Sequence, residues 1–458
     1  MDSWDADLHI HSPHSIAVSK TLNLDTMVET AQKKGLRIIG TGDITQPEWR
    51  KYMAVNLERK TGGVFSYKGV HFFLQTELED SDSIHHVVLL PSFEAAEELV
   101  VGLRPKTKDL DGAWAGRPHV HLTPAEVVEM VTKVGGLIGP AHAFTPFKAI
   151  FRQGRYKSLQ ECFQGAEKHV SFLELGLSAD THIADQLSCL ANVTFLSNSD
   201  AHSQGAQSLG RECNRLEIET PTFDELADAI GRKNKRRVTL NIGLDPRLGK
   251  YYLMFCNTCR RRVLVNIQSE KGGQECQMLP MLPLIQKGRK EKPLFPVANI
   301  QYSISDKFIT YQVPDASARR HFLTAVNKKQ VACPACTGEQ KGVIRLGVSE
   351  RLELIADQPP DTHPPHRPPY LDIIPLVEII RAIKGVKSTS AVSVTRMYDQ
   401  LITKLGPEYH ILADIPVTTI KKEDETIGTV IDAFRQHQVS FIPGGGGTFG
   451  TISLPEFE

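Results

Sequence analysis

A chain of 458 residues is too long for one ordinary hydrophobic core, and its eight cysteines, with two CxxC pairs among them, join opening residues that lack an apolar export segment in pointing to a cytoplasmic protein. No stretch approaches the roughly 18 unbroken apolar residues of a membrane span, so a membrane partner is not expected. The formal net charge of zero hides a partition: residues 231–350 hold 22 Lys/Arg against 8 Asp/Glu, residues 1–230 hold 21 against 31, and residues 351–458 hold 10 against 14.

From residue 5 to 240 short apolar runs alternate with helical stretches, the pattern of parallel strands joined by crossover helices. The candidate strands are "ADLHIH", "LRIIGTGD", "HFFLQTE", "HHVVLL", "GLIGPAHA", "SFLELGL" and "VTFLSNSDAH". Helix candidates such as "LDTMVETAQKKG" and "TPAEVVEMVTKVGG" lie between them, several with a polar start signal or a Gly stop. Seven strands suit a closed α/β barrel over residues 1–240 better than an open sheet. Each run carries side chains able to hold a metal: His9 and His11, Asp43, Glu77, His86, His142, Glu174, then Asp200 and His202. In a parallel barrel the carboxyl ends of all strands share one face, so these residues are expected to converge. Alternate residues on a strand point the same way, which lets an H-x-H or D-x-H pair supply two ligands from one element.

Imidazole with carboxylate favours Zn, Mn or Fe, with Mg also a candidate, and a set this large implies two or three close ions. Such centres hydrolyse phosphate esters, one ion activating a water and another steadying phosphoryl and leaving-group oxygens. Glu77 is the expected bridge, and the catalytic assignment falls on Asp200, Glu77 and His202. Glu174 reads either as a ligand or as a ligand's support. Only one of His85 and His86 can face inward, and His86 is the one expected to do so. His14, His71, His119, His121, His169 and His182 read as structural, hydrogen-bonded histidines.

The second region, 241–356, holds Cys256, Cys259, Cys333 and Cys336, the pattern of a four-thiolate site for one structural Zn. The 73 residues between Cys259 and Cys333 require an inserted subdomain. A redox role would need a CxxC that opens a helix after a strand, which neither pair does. Cys162, Cys189, Cys213 and Cys276 read as ordinary reduced thiols. The basic surplus suits a polyanion, since phosphate neutralisation releases counterions, although a solvated lysine-rich face gives the same count. Arg236, Arg237, Arg260, Arg261 and Arg262 are the DNA-binding candidates, and Lys287, Arg289, Lys290 and Lys292 add to the same surplus.

Residues 357–370 form a proline-rich connector, expected to be extended and semi-rigid. Residues 371–458 read as a mainly helical C-terminal domain, with "DIIPLVEIIRAIKG" amphipathic and "SVTRMYDQLITKLG" at helical spacing. In "SFIPGGGGTFG" the amides around Gly445 and Gly446 suit a phosphate or base edge, or simply a flexible turn. The tail "TISLPEFE" reads first as a strand and second as a docking segment for a replication sliding clamp.

The motifs "DLHIHS", "GTGD", "QTELED", "HHVVLLP", "PAHAF" and "SNSDAH" resemble those of the polymerase and histidinol phosphatase (PHP) superfamily, metal-dependent phosphoesterases on a distorted seven-stranded β/α barrel. Over nearly the whole length, the barrel, the split CxxC module, "HRPPYLDIIPLVEII" and the closing "PGGGG" resemble the endonuclease Q family. The resemblance implies a DNA repair enzyme that cuts one strand 5′ to uracil, hypoxanthine, xanthine or an abasic site. It assigns His9, His11, Asp43, Glu77, His86, His142, Asp200 and His202 as ligands, and departs from the commoner superfamily pattern at Ile16 and Ile44. A small-molecule phosphatase of the histidinol-phosphate kind would leave the basic module unexplained. A non-catalytic DNA-binding protein would leave the ligand set without a use.

Overall fold

The structure is a computed structural model that describes residues 1–112, 115–268, 277–278, 300–336, 342–436 and 438–453. Cys276, the basic run from Lys287 to Lys292, and the last five residues of the tail lie outside the described residues.

The chain opens with β1 (Asp2–Asp7) and β2 (Ile38–Gly40), a short pair β3 (Glu58–Arg59) and β4 (Phe65–Tyr67), then β5 (Val70–Glu79), β6 (His85–Leu90), β7 (Leu137–Pro140), β8 (Phe172–Glu174) and β9 (Thr194–Leu196). Helices between them are delimited by local chemistry. Leu24–Lys34 begins at a capping box of Asn23 with Thr26 and stops at Gly35, whose φ of 91° suits glycine. Pro124–Lys133 begins at a second box, Thr123 with Glu126, and has Pro at its first position.

Hydrogen bonding follows a path that returns to its start. β1, β2 and β5 are parallel, and β6 is antiparallel to both β5 and β7. Ser171 N donates to Ile138 O and Ala143 N to Glu174 O, which joins β7 to β8, and β8 pairs in parallel with β9. A bridge from Ala201 to Ile10 then brings the chain beyond β9 back against the chain beyond β1. The seven runs are therefore not all parallel: β6 is reversed. Inside the path, Leu8, Ile38, Phe73, Val87, Phe172 and Leu196 form one buried apolar cluster, while Ile39, Phe72, Leu74, Val88 and Phe195 belong to a larger outer core. This division is the two-residue period of a strand buried on both faces.

β10 (Cys213–Ile218) and β11 (Arg237–Leu244) extend the sheet on the other side of β1. The cysteine module has its own six-stranded sheet: β12 (Phe255–Cys256), β13 (Arg262–Ile267), β14 (Gln277–Met278), β15 (Gln301–Ile304), β16 (Phe308–Val313) and β17 (Ile344–Arg345). Helix Ala316–Asn327 follows β16 and buries Phe322, Leu323 and Val326 in the module's separate core.

The C-terminal stretch holds helices Leu376–Ile383, Val392–Leu405, Val417–Glu423 and Glu425–Arg435. It also supplies β18 (Tyr370–Ile373), which pairs in parallel with β11, and the hairpin of β19 (Ser440–Ile442) and β20 (Thr451–Ser453) that carries the glycines. Ile380, Ile411, Ile427 and Ile431 share the outer core with Met27 and Ile39. A fully buried ion pair, Lys34 Nζ to Glu408 Oε1 at 2.8 Å, crosses the same junction. The proline-rich connector is docked rather than free, because Arg367 pairs with Asp185 at 2.7 Å with both side chains buried.

Candidate metal centre

Strand ends deliver the ionisable side chains to one rim. His9 and His11 follow β1, Glu77 lies near the end of β5, His85 opens β6, His142 follows β7, and Asp200 and His202 follow β9. Because β6 is reversed, its first residue lies at the same rim as the last residues of its neighbours. The ligand atoms form three overlapping triads, each within 4.8 Å: His9, His11 and Glu77; His11, Asp200 and His202; Glu77, His85 and His142. His11 and Glu77 each belong to two of them. Glu77 Oε1 lies 3.0 Å from His85 Nδ1 and 3.3 Å from His142 Nε2, its Oε2 lies 3.4 Å from His11 Nε2, and His11 Nε2 is 3.0 Å from Asp200 Oδ1.

A ring of carboxylates orients the imidazoles. His9 Nδ1 donates to Glu174 Oε2 at 2.7 Å, His11 Nδ1 to Asp43 Oδ1 at 3.0 Å, and His85 Nε2 to Glu79 Oε2 at 3.2 Å. A carboxylate fixes the proton on the nitrogen it faces and leaves the other nitrogen's lone pair pointing into the cluster. The inward atoms lack partners: His9 Nε2, His11 Nε2, Glu77 Oε1 and Asp200 Oδ1 are buried and make no hydrogen bond despite their close neighbours. Buried polar atoms are rarely left so, and four converging on one point fit divalent cations.

Two expected ligands are placed differently. His86 shares its side of β6 with Val88 and Leu90, in the outer core, where Nε2 donates to Asp80 Oδ2 at 2.8 Å. His85, with Val87 and Leu89 on the inner side, takes the position expected for His86. Asp43 stays outside the triads, since its oxygens are engaged by His11, by Ser12 N and Oγ, each at 2.6 Å, and by Ser15 Oγ at 2.9 Å. It positions His11. Arg117, which no sequence motif marks, donates to Glu77 Oε2 at 3.1 Å. A backbone signal that the sequence does not carry marks the same place: Asp43, His142 and Asp200 have φ of 39°, 30° and 48°, unusual for non-glycine residues and typical of strained functional sites.

Electrostatics follow from the crowding. Burial works against a charge on His9, yet Glu174, Asp200 and Glu77 hold its pKa up at about 9. His11 is driven well above the imidazole range because Asp43, Asp200 and Glu77 outweigh burial. Burial pushes the Glu77 carboxyl up, but His85, His142 and His9 hold it well below the usual range, and His11, His9 and His202 do the same for Asp200.

The rim opens into a cavity of about 580 Å³ lined by His85, His142, Asp200, His202, Arg211 and Lys250. A neighbouring cleft of about 900 Å³ shares Gln207 and Arg211 with it and is walled by helix Leu376–Ile383 and residues 447–452. The buried Arg211 Nε is without a hydrogen-bond partner.

In the second module Cys256 Sγ lies 3.6 Å from Cys336 Sγ, and Cys259 Sγ 3.8 Å from Cys333 Sγ. Thiolates held tetrahedrally at about 2.3 Å from one zinc are about 3.8 Å apart, so this spacing fits that ion. A Cβ at Gly342 would lie 2.5 Å from Cys256 Sγ, so no side chain fits there.

The basic candidates separate. Arg236 pairs with Glu225 at 2.8 Å and Arg237 with Glu217 at 2.7 Å, beside a surface cleft that shares no residue with the metal cavity. Arg261 and Arg262 donate to Ser305 O and Pro443 O. The glycine hairpin folds onto this segment: Gly446 has φ of 66°, and a Cβ there would come within 2.2 Å of Arg260 O. The amides of Gly444, Gly445, Gly447 and Gly450 donate to Arg247, Thr448, Lys250 and Leu248 carbonyls, so of the two expected phosphate-binding glycines Gly445 spends its donor on packing.

Comparison with known proteins places these features in context. Residues 375–438 match the family model described as the MJ0043 C-terminal domain. Protein YqxK of Bacillus subtilis is 34% identical over 276 residues, which cover 56% of this chain and 68% of that protein. Protein MJ0043 of Methanocaldococcus jannaschii is 30% identical over 318 residues, and the match spans 68% of this chain but only 31% of that longer relative. Two crystal structures align over 99% of the chain. The lesion-specific endonuclease PfuEndoQ from Pyrococcus furiosus has 33% identity and a TM-score of 0.79, with 96% of it covered. Endonuclease Q in complex with a 27-mer duplex substrate carrying an abasic lesion at the active site has 32% identity and a TM-score of 0.80, with 97% covered.

Proposed function

The chain belongs to the endonuclease Q family, and from that premise we propose that it is a metal-dependent DNA repair endonuclease that nicks the phosphodiester 5′ to deaminated bases (uracil, hypoxanthine, xanthine) or abasic sites. The observation that carries this reading is the convergence of His9, His11, Glu77, His85, His142, Asp200 and His202 in three triads with unpartnered atoms aimed inward. We read the closed strand path as a PHP-type barrel, residues 1–240 as the hydrolytic unit, residues 241–356 as a module held by structural zinc, and residues 371–458 as a third unit.

The three triads would hold two or three divalent ions, with Glu77 shared between two positions. Such ions, when bound, would supply Lewis acidity toward the phosphodiester and an activated water. Glu174, Asp43 and Glu79 keep His9, His11 and His85 in the tautomer that presents a lone pair to the pocket. Arg117 sets one oxygen of Glu77 and adds a positive charge beside the site of developing phosphoryl charge. Lys250 and Arg211 line the cavity and attract the DNA backbone without reading sequence. A damaged nucleotide pairs poorly and costs little to unstack, and the cleft that shares Gln207 and Arg211 with the metal cavity is the room it would enter.

The test is incubation with Mn2+ or Mg2+ and an end-labelled duplex carrying one deoxyuridine, deoxyinosine or abasic site. A single nick 5′ to the lesion, with 3′-hydroxyl and 5′-phosphate ends, supports the proposal. Release of phosphate from small monoesters without nicking would turn the assignment to a small-molecule phosphatase, and binding without cleavage to a DNA-binding protein.

A further inference from the structure

We propose that His182, Asp361 and His363 form a binding site for one transition-metal ion of the Zn2+ type, and that this ion fastens the proline-rich connector to the first unit. The site shares no residue with the metal centre or with the four cysteines.

The geometry begins with His363. Its Nδ1 faces Asp185 Oδ2 at 2.7 Å, and a carboxylate there can only accept, so Nδ1 holds the proton and Nε2 presents a lone pair. That Nε2 lies 3.0 Å from His182 Nδ1, and Asp361 Oδ1 lies 3.2 Å from the same nitrogen. Two electron-pair donors thus converge on a third. One proton on His182 Nδ1 can serve only one of them at a time, whereas a cation in their midst serves all three. Nitrogen and oxygen ligands set tetrahedrally at about 2.0–2.1 Å from zinc are separated by about 3.3 Å, close to the two distances that His182 Nδ1 keeps from its partners, and all three ligand atoms lie within 4.8 Å of one another. Asp185, only 1% exposed, supports His363 as carboxylates commonly support metal-bound histidines, and it is held by Arg367 from its other side. The backbone cooperates: Asp361 sits at φ of 61°, in the left-handed region that Asp tolerates. The open side of the cluster faces solvent, with His182 and Asp361 side chains 55% and 82% exposed, which leaves room for water to complete the coordination. Two imidazoles and one carboxylate favour Zn2+, Ni2+, Co2+ or Cu2+ over Mg2+ or Ca2+.

The connector gives the site a purpose. Its start is tied by Asp357 Oδ1 to Ser188 N at 2.8 Å, and its end by Arg367 to Asp185 and Val193 O. Between these anchors Pro359, Pro360, Pro364 and Pro365 withdraw backbone donors, so side chains have to hold the middle. His363 and Asp361 do so against His182, on helix Thr181–Ala184.

The experiment uses the full chain with the metals it is purified with. Zn2+ is titrated by calorimetry, and metal per chain is counted after desalting, for the wild type, Asp361→Asn and His182→Ala. Asp361→Asn changes an exposed side chain and keeps the fold. The expected result is one additional Zn2+ on the wild type, with uptake weakened at least about tenfold in each variant. Added Zn2+ should also slow proteolysis between residues 358 and 366 in the wild type alone, while lesion nicking is the same in all three proteins. Equal zinc uptake by wild type and both variants, or no additional ion on the wild type at micromolar free Zn2+, overturns the proposal and leaves the nuclease reading untouched.

Discussion

At the scale of single residues, His85 and His86 show how a two-residue period separates function from packing. Both are buried and adjacent in sequence, but one faces the triads and the other bonds Asp80 in the outer core. Substituting His85→Ala should lower lesion nicking by on the order of a hundredfold or more, with metal content reduced. Substituting His86→Ala should leave bound metal unchanged and instead cost about 1–3 kcal/mol of stability, since Asp80 Oδ2 loses its buried donor. Metal analysis beside denaturant melts separates the two. The sequence carried the alternation but not its phase, because the phase depends on β6 running against its neighbours. The H-x-H and D-x-H pairs were legible for the opposite reason: one strand end suffices to present both. Asp43 was misjudged as a ligand because the Ser12 and Ser15 hydroxyls that occupy it are recognisable only once the loop after β1 is folded back.

At the scale of elements, the junction of β10 and β11 encloses a buried acid that belongs to none of the three triads. Glu212 is fully buried, takes one hydrogen bond from Leu244 N, and its other oxygen has none. Burial pushes its pKa up to about 8, and Glu350, buried against Met254 N, is pushed up to about 7. Both folded-state values exceed the unfolded one of about 4.5, so between pH 4.5 and 8 the native state holds protons that the unfolded chain has released. The stability that these two acids contribute therefore falls as pH rises through this window. Replacement of Glu212 by Gln should flatten the fall and raise stability at pH 8 by on the order of a few kcal/mol, read from denaturant midpoints at pH 6 and pH 8. Elements differed in legibility for physical reasons. The four cysteines announced their cluster because each CxxC is a local geometry, whereas the glycine run carries no such signature, and its amides at Gly444, Gly447 and Gly450 bond Arg247, Lys250 and Leu248 far away in the chain.

At the scale of the whole molecule, the C-terminal helices are built into the first unit's outer core and are not appended to it. The junction is fixed by Lys34 and Glu408, both fully buried, with Glu408 also accepting from Leu376 N at 3.0 Å and Tyr398 OH at 2.9 Å. Lys34→Ala strands a buried carboxylate and should cost about 3–5 kcal/mol, while a paired Lys34→Met, Glu408→Gln change should recover much of that loss. Comparison of the unfolding midpoints of the two proteins checks this. Such a contact between residues 374 apart in the chain is beyond any local pattern, which is why the sequence suggested separable domains. No helix among the described residues is long and apolar enough to cross a membrane. In the proposed function, ions gathered at one rim by far-separated strand ends cut DNA at a lesion. The decisive measurement is single-turnover nicking of a deoxyinosine duplex by Asp200→Ala, with its DNA affinity measured in parallel. Cleavage should be lost and affinity retained; cleavage at the wild-type rate would rule out this rim as the hydrolytic centre.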